Sequence, residues 1–265
     1  MHARLAVFGF GNMGQAVVAG ATHEGLLAPA DIVVIEPDAE KREAARRAGC
    51  GHGDHPSAAR TAEQVLLAVK PQVFPELAPA LADRAGRSVF ISVMAGISSE
   101  RIRAAIGGDH GVVRAMPNVA CKFRKGMTGL ALAAGSRAGD DEFATRLFAS
   151  LGHVAHVEES MLDAVTAVSG SGPAYLFLLA EAWEAAATDL GFDATTARDL
   201  VRQTIVGAAH MLADRAMDAA DLRAAVTSKG GTTAAAIAVL EASGMRDAMR
   251  DAVRAAQRRG RELGG

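Results

Sequence analysis

Gly9-Phe10-Gly11-Asn12-Met13-Gly14 lies between an apolar run over residues 4–9 and an amphipathic stretch over residues 13–24. That context narrows the available folds more than any other feature of the chain. A strand that enters a helix through three glycines at this spacing makes a βα turn. The first glycine permits the tight turn, the second lets backbone approach a ligand, and the third lets the helix pack closely on the strand. The first N–H groups of the helix then point outward and suit a phosphate. Alone, such a pattern is weak evidence. Here it opens a long strand–helix alternation.

Candidate strands are 4–9, 32–36, 65–69, 89–93, 112–115, 128–133 and 154–157, with amphipathic helices such as 13–24 and 39–47 between them. This order specifies a mostly parallel, doubly wound sheet. Near residue 160 the strand-like runs stop. Leu162, Val165, Thr166, Val168, Leu176, Leu179 and Trp183 recur at three- and four-residue spacing, which is helical. The expected fold is therefore an α/β, Rossmann-like dinucleotide-binding domain over 1–158, followed by an all-α substrate and dimerisation domain over 159–265. The alanine-rich second part is too small to bury its broad apolar faces alone, so a second copy of the chain is expected to cover them.

Several functions are disfavoured. The net charge is −2 and the charges are scattered, which provides no basic face for nucleic acid and no polybasic anchor. No stretch approaches about 18 uninterrupted apolar residues, so no membrane span is expected. Two cysteines, Cys50 and Cys121, fit free thiols in a reducing cytosol rather than a disulfide framework. The apolar start is too short for a signal peptide and leads into the glycine motif; the expected location is cytoplasmic. Cys50-Gly51-His52-Gly53-Asp54-His55 has the composition of a metal cluster but not zinc spacing, and its glycines make it loop-like, so no metal is expected.

Glu36 ends the second strand at the distance from the glycines where an acid accepts hydrogen bonds from ribose hydroxyls and repels a 2′-phosphate. It leans the chain toward NADH. Lys41 and Arg42 follow one turn into the next helix, either to welcome that phosphate or to form a solvated face. Ala68-Val69-Lys70-Pro71 and Met94-Ala95-Gly96 lie at the carboxyl ends of parallel strands, the ligand-binding edge of such sheets.

The chain is poor in titratable groups suited to carbonyl reduction, which needs a strong proton donor. Lys229, His153, His156 and His210 lack a defensible acid partner in the sequence, and no Ser–His–Asp order or nucleophile elbow is present. A cyclic imine that arrives protonated already carries its electrophilic charge, and needs only a carboxylate cradle, hydrogen-bond partners and an aimed hydride. Two motifs in the helical half can serve. Ser169-Gly170-Ser171-Gly172-Pro173 interrupts a helix; Pro173 cannot donate to the Ser169 carbonyl, and the glycines admit either a flat ring or another helix. Val226-Thr227-Ser228-Lys229-Gly230-Gly231-Thr232-Thr233 reads as a turn before a helix capped by Thr232 or Thr233. It forms either an anion nest for a small carboxylate beside a C=N group or a plain capped turn.

GFGNMG, AVKPQ at 68–72, RAMPN at 114–118, DAVTAVSGSGPAYLF at 163–177 and VTSKGGTT at 226–233 together resemble the pyrroline-5-carboxylate reductase family, in that family's order across nearly the whole chain. The last two motifs are specific; the glycine motif is not. The resemblance implies NAD(P)H-dependent reduction of L-1-pyrroline-5-carboxylate to L-proline, the last step of proline biosynthesis. It also implies a dimer through the helical domain, with rings of dimers in many members, so a decamer of five dimers is the larger assembly to look for. Carried over by position, Phe8, Gly9, Phe10, Gly11, Asn12, Met13, Ala68, Val69, Lys70, Pro71, Met94, Ala95 and Gly96 match coenzyme-binding segments, and Ala225 matches a further position near the coenzyme; Gly14 joins them from the glycine pattern itself. Thr232 and Thr233 match the substrate turn, with Thr233 against the reacting nitrogen, and Glu159 matches a position near the product's amine; Ser228, Gly230 and Gly231 of the same turn are the further substrate-binding candidates. Three departures stand out. Glu36 replaces a serine that NADPH-using relatives can place for the 2′-phosphate. The loop 52–59 has no asparagine. Lys229 stands where many members have proline. Two rival readings are a reductase of a related six-membered cyclic imine acid and a non-catalytic dinucleotide-binding protein.

Overall fold

Short apolar runs become strands wherever both of their faces can be buried. β1 (Leu5–Phe8), β2 (Ile32–Ile35), β3 (Gly51–Gly53), β4 (Gln64–Leu67), β5 (Val89–Ser92), β6 (Gly111–Pro117), β7 (Gly126–Leu132) and β8 (Gly152–His156) form one sheet in the order β3-β2-β1-β4-β5-β6-β7-β8. The computed structural model describes residues 3–214 and 216–264. β1, β2 and β5 are buried at every position, the pattern of strands covered by helices on both faces. Neighbours pair in parallel except β6 with β7, which run antiparallel. The strand order reverses direction at β1 and β4, where Phe8 sits opposite Leu67. Doubly wound sheets open a ligand crevice beyond the carboxyl ends of the strands at such a point.

Helices α1 (Asn12–His23), α2 (Ala39–Arg47), α3 (Phe74–Ala82), α4 (Ser99–Ile106) and α5 (Glu142–Ala149) connect the strands. α2 starts where Asp38 accepts the Lys41 N–H at 3.1 Å, and α4 starts where Ser98 accepts the Arg101 N–H at 3.2 Å. Both are ordinary side-chain caps. One segment departs from expectation. Cys50-Gly51-His52-Gly53 does not stay a loop; it adds β3 to the sheet edge beside Val33–Ile35. A three-residue edge strand with two glycines has no hydrophobic alternation to read. Cys50 and Cys121 are free and buried, and burial pushes both thiols up.

The chain divides into two compact units. The first runs through Ser171 and takes in the end of the last helix from Ala256; the second is Gly172–Ala255. Composition changes near residue 159, but residues 159–171 pack on the sheet: Leu162 and Ala167 are 2% and 0% exposed. The second unit holds α7 (Gly172–Asp189), α8 (Ala194–Ala213), α9 (Ala219–Ala225), α10 (Thr232–Ala242) and most of α11 (Met245–Gly264), while the short α6 (Leu162–Val165) belongs to the first. α7 and α8 form an antiparallel pair, and Glu184 of α7 accepts from Arg202 of α8 at 3.0 Å. Phe177, Leu178, Leu190 and Val239 are each more than 60% exposed. A single copy therefore leaves the apolar faces of these helices uncovered. Among the described residues, Glu159–Asp189 is also apolar and long enough to cross a membrane by length and composition alone.

His110 closes the amino-terminal edge of the sheet. Its Nδ1 accepts the Ser88 N–H at 3.1 Å, and its ring meets Phe90 edge-on at 5.4 Å. Burial, then the nearby Arg84 and Arg87, lower its pKa, against a smaller opposing pull from Asp109. The folded state thus refuses a proton that the unfolded chain accepts near pH 6.5. The stability from neutral His110 is complete above about pH 6.5 and is lost as pH falls toward the lower folded value. His110→Asn keeps an acceptor for Ser88 and removes the titration. The fall in Tm between pH 7 and 5.5 is expected to be smaller in the variant than in the parent; equal slopes would remove His110 as the cause.

Candidate active site

The glycine loop is built by close approaches. Gly9 has φ +93°, and a Cβ there would stand 2.6 Å from the Ala68 carbonyl oxygen. A Cβ at Gly14 would stand 2.3 Å from the Gly9 carbonyl oxygen, so only glycine lets α1 settle on β1. Gly11 is different, because a Cβ there would meet no atom of the chain within 4 Å. The protein itself has no need of a bare backbone at that point, but a ligand lying against it does. Gly11 is also the N-cap of α1 with no side-chain cap, which leaves N–H groups of the first turn open to an anion. Phe8 and Phe10 are buried core side chains, so they offer the edge only main chain. Asn12 is exposed and Met13 half-buried; Gln15 Nε2 fixes the loop through the Phe10 carbonyl at 3.0 Å.

Glu36 is 6% exposed. Its Oε2 accepts the Phe10 N–H at 2.7 Å and its Oε1 accepts the Asp38 N–H at 3.1 Å. A carboxylate has further lone pairs, so this anchored group can still accept from a ribose. Arg42 donates through Nη1 to the carbonyls of Glu36 and Pro37, at 2.8 and 2.6 Å. The remaining coenzyme-edge residues follow β4 and β5. Ala68 and Val69 are half-buried, Lys70 is exposed, and Pro71 starts a 3-10 turn. Met94 is buried, Ala95 exposed, and Gly96 turns the chain at φ +73°. Loop, carboxylate and strand ends thus share one edge of the first unit, and they fit a dinucleotide.

Glu159 belongs to the first unit and is heavily engaged there. Ser99 donates its N–H to Oε1 at 2.8 Å and its hydroxyl to Oε2, and Arg114 donates to Oε1 at 3.2 Å. Burial pushes this carboxyl up, but the Ser99 and Arg114 contacts outweigh it and hold the pKa below the ordinary value. The carboxylate ties the start of α4 to β6.

Ser228, Gly230, Gly231, Thr232 and Thr233 are brought together in the second unit, with Ala225 ending α9 just before them. Gly230 adopts φ +72°, and the Gly231 N–H donates to the Ser228 carbonyl at 3.1 Å. Neither threonine caps α10. The N-cap is Gly231, with no side-chain cap, and the threonines are the first two helical residues. The reason is local: Gly231 takes up the extended φ/ψ of an N-cap (−79°, 173°), so the helix begins one residue before a threonine could cap it. The first-turn N–H groups stay open, and the hydroxyls are not spent on the cap. Lys229 is exposed.

The Ser169–Pro173 interruption is a π-helical turn, Thr166–Gly170, not a break; the Ser171 N–H reaches back to the Thr166 carbonyl at 2.8 Å. Such turns are frequent at functional sites. Among the histidines, His156 does have an acid partner, Asp141 at 3.5 Å, but it lies exposed on β8, with four strands between it and β1. Among the described residues no group of three His, Cys, Asp or Glu side chains could hold a metal ion.

A glycine loop opening an uncapped helix, with an anchored acid at the end of β2, is the arrangement of a dinucleotide-binding fold. Residues 4–96 match the family described as NADP oxidoreductase, coenzyme F420-dependent, and residues 159–263 match pyrroline-5-carboxylate reductase dimerisation. The chain is 40% identical to a pyrroline-5-carboxylate reductase from Synechocystis, covering 100% of this chain and 99% of that one. It superposes on a pyrroline-5-carboxylate reductase from Coxiella burnetii with TM-score 0.93 at 33% identity, covering 100% of both chains. It also superposes on the Plasmodium falciparum pyrroline carboxylate reductase with NADP bound, with TM-score 0.84 at 24% identity over 99% of this chain and 98% of that one. The chain belongs to the pyrroline-5-carboxylate reductase family. It is an NAD(P)H-dependent oxidoreductase whose helical half is a dimerisation domain.

Sequence reasoning did not single out Ser99, Arg114 or Asn118. Arg114 and Asn118 stand at the two ends of RAMPN, a motif noticed only through resemblance. Ser99 carries no signal of its own, because its partner is 60 residues away.

Proposed function

We propose that this chain reduces the C=N bond of L-1-pyrroline-5-carboxylate to give L-proline, with NADH preferred over NADPH. The observation that carries the coenzyme preference is the seating of Glu36. Its carboxylate is pinned beside the glycine loop by the main-chain N–H groups of Phe10 and Asp38, and Nη1 of Arg42 is held by the carbonyls of residues 36 and 37. A 2′-phosphate would meet a fixed negative charge, and Arg42 is turned by its Nη1 onto main-chain carbonyls of the Glu36 turn.

When bound, the coenzyme supplies hydride to the imine carbon. The chain's residues bind and orient. Phe8 to Gly14 present main chain and the open N–H groups of α1 to the pyrophosphate, while Ala68 to Pro71 and Met94 to Gly96 line the coenzyme edge. The turn Ser228–Thr233, with its open N–H groups, holds the substrate carboxylate. The Thr233 hydroxyl hydrogen-bonds at the ring nitrogen. The nitrogen keeps its proton through the step, so no titrating side chain is required. Glu159 orders the start of α4 and the substrate side through Ser99 and Arg114.

Steady-state kinetics on pyrroline-5-carboxylate with the two coenzymes side by side test the reading. kcat/KM is expected to favour NADH by about tenfold or more, a difference of about 1.4 kcal/mol; equal values or an NADPH preference would overturn the Glu36 argument. Turnover of a six-membered cyclic imine acid at a higher kcat/KM would transfer the assignment to that substrate. NADH binding without turnover of any cyclic imine would leave a non-catalytic binding protein. We also propose that dimers assemble further into a decamer of five and that the protein works in the cytoplasm. Free buried thiols support the location, and sedimentation and cell fractionation check the two points.

A further inference from the structure

We propose that Asn118 is a positioning residue that clamps the π-helical turn of residues 166–170 to the coenzyme edge. The inference rests on the reductase reading above and deepens it.

Asn118 follows β6 directly and caps the 3-10 turn Val119–Phe123. Its amide works at both ends. Oδ1 accepts the Ala120 N–H at 3.2 Å and the Met127 N–H at 3.3 Å, which fixes its own loop. Nδ2 reaches 51 residues along the chain and donates to the Ser169 carbonyl at 3.1 Å. That carbonyl is the one Pro173 cannot serve, because proline has no N–H to return to the residue four positions before it. Met116, two residues before Asn118, closes on the same turn: a Cβ at Gly170 would stand 3.2 Å from its Cε. RAMPN and residues 169–171 therefore form one assembly within the first unit.

The place of this assembly follows from topology. β1, β4, β5 and β6 are parallel neighbours, so Phe8, Leu67, Ser92 and Arg114 stand level at one edge, and β6 runs three residues beyond it to Pro117. With the adenosine ribose at Glu36 and the pyrophosphate at α1, the other half of the dinucleotide must run the opposite way, across the ends of β4 and β5 toward β6. Asn118 thus holds the π turn, with the hydroxyls of Ser169 and Ser171, at the nicotinamide end of the edge.

Asn118→Asp tests the clamp. Aspartate keeps the acceptor for both N–H groups and replaces the Ser169 donor with an oxygen. With enzyme in excess over NADH and saturating pyrroline-5-carboxylate, the single-turnover rate per bound NADH is expected to fall roughly 10- to 100-fold, the scale of a misplaced reacting group. The NADH Kd should stay within about twofold of the parent. Asn118→Ser, also a good N-cap but too short to reach Ser169, should give the same loss and serves if the aspartate variant does not fold. A loss of NADH sites with an unchanged rate per site would show an ordinary structural cap and overturn the clamp, as would an unchanged rate. A parent enzyme with no turnover would instead sink the reductase reading.

Discussion

Placing valine at Gly11 is expected to weaken NADH binding by at least about 30-fold, roughly 2 kcal/mol, while lowering Tm by no more than about 4 °C. The two effects separate because of what surrounds the residue. An added Cβ meets no atom of the chain within 4 Å, and the backbone there is extended at φ −76° and ψ −168°. A β-branched residue tolerates that conformation, so the fold absorbs the change. Bound coenzyme does not, because bulk at the second glycine holds the pyrophosphate away from the open N–H groups of α1. Gly14→Ala is the contrast. Its Cβ would press on the Gly9 carbonyl oxygen at 2.3 Å, so stability and binding should fall together. Isothermal titration with NADH and thermal melts on both variants check the pair. An unchanged Kd for Gly11→Val would remove the pyrophosphate from the loop.

Thr233→Ala is expected to lower kcat/KM for pyrroline-5-carboxylate by about tenfold or more, at 1.4 kcal/mol per decade, without weakening NADH binding. Thr233 is the second residue of α10 and does not cap it, and alanine is the better helix former there. Tm should therefore not fall, and a lost rate cannot be assigned to unfolding. Thr233→Ser restores the hydroxyl and should recover most of the activity. If alanine leaves kcat/KM unchanged, the hydroxyl has no part in holding the ring nitrogen.

Much of the coenzyme edge was legible in the chain because its signals are local. Apolar runs of four residues marked the inner strands to within two residues. The spacing from glycine loop to acid points to Glu36, and the fold sets its carboxylate against that loop. β3 was not legible, since Gly51-His52-Gly53 has no pattern and becomes a strand only because Val33–Ile35 offers an open edge. The π turn was visible as a disturbance of helical periodicity, and Pro173 identified the Ser169 carbonyl as freed. That the freed carbonyl belongs to Asn118 was not visible, because a contact across 51 residues leaves no periodic trace. The capping role given to the threonines was misplaced by one or two residues, since glycine at 231 caps with its backbone alone.

The sequence by itself determined the strand–helix order, the glycine loop, the acid at residue 36 and an apolar helical half that calls for a partner. Each of these follows from side-chain size, charge or spacing along a few turns of chain. Tertiary structure alone decided that Glu159 is held by Ser99 and Arg114 and that Asn118 meets Ser169. Hydrogen bonds between distant residues form only when packing of the sheet and helices sets donor against acceptor, and no local propensity encodes that juxtaposition.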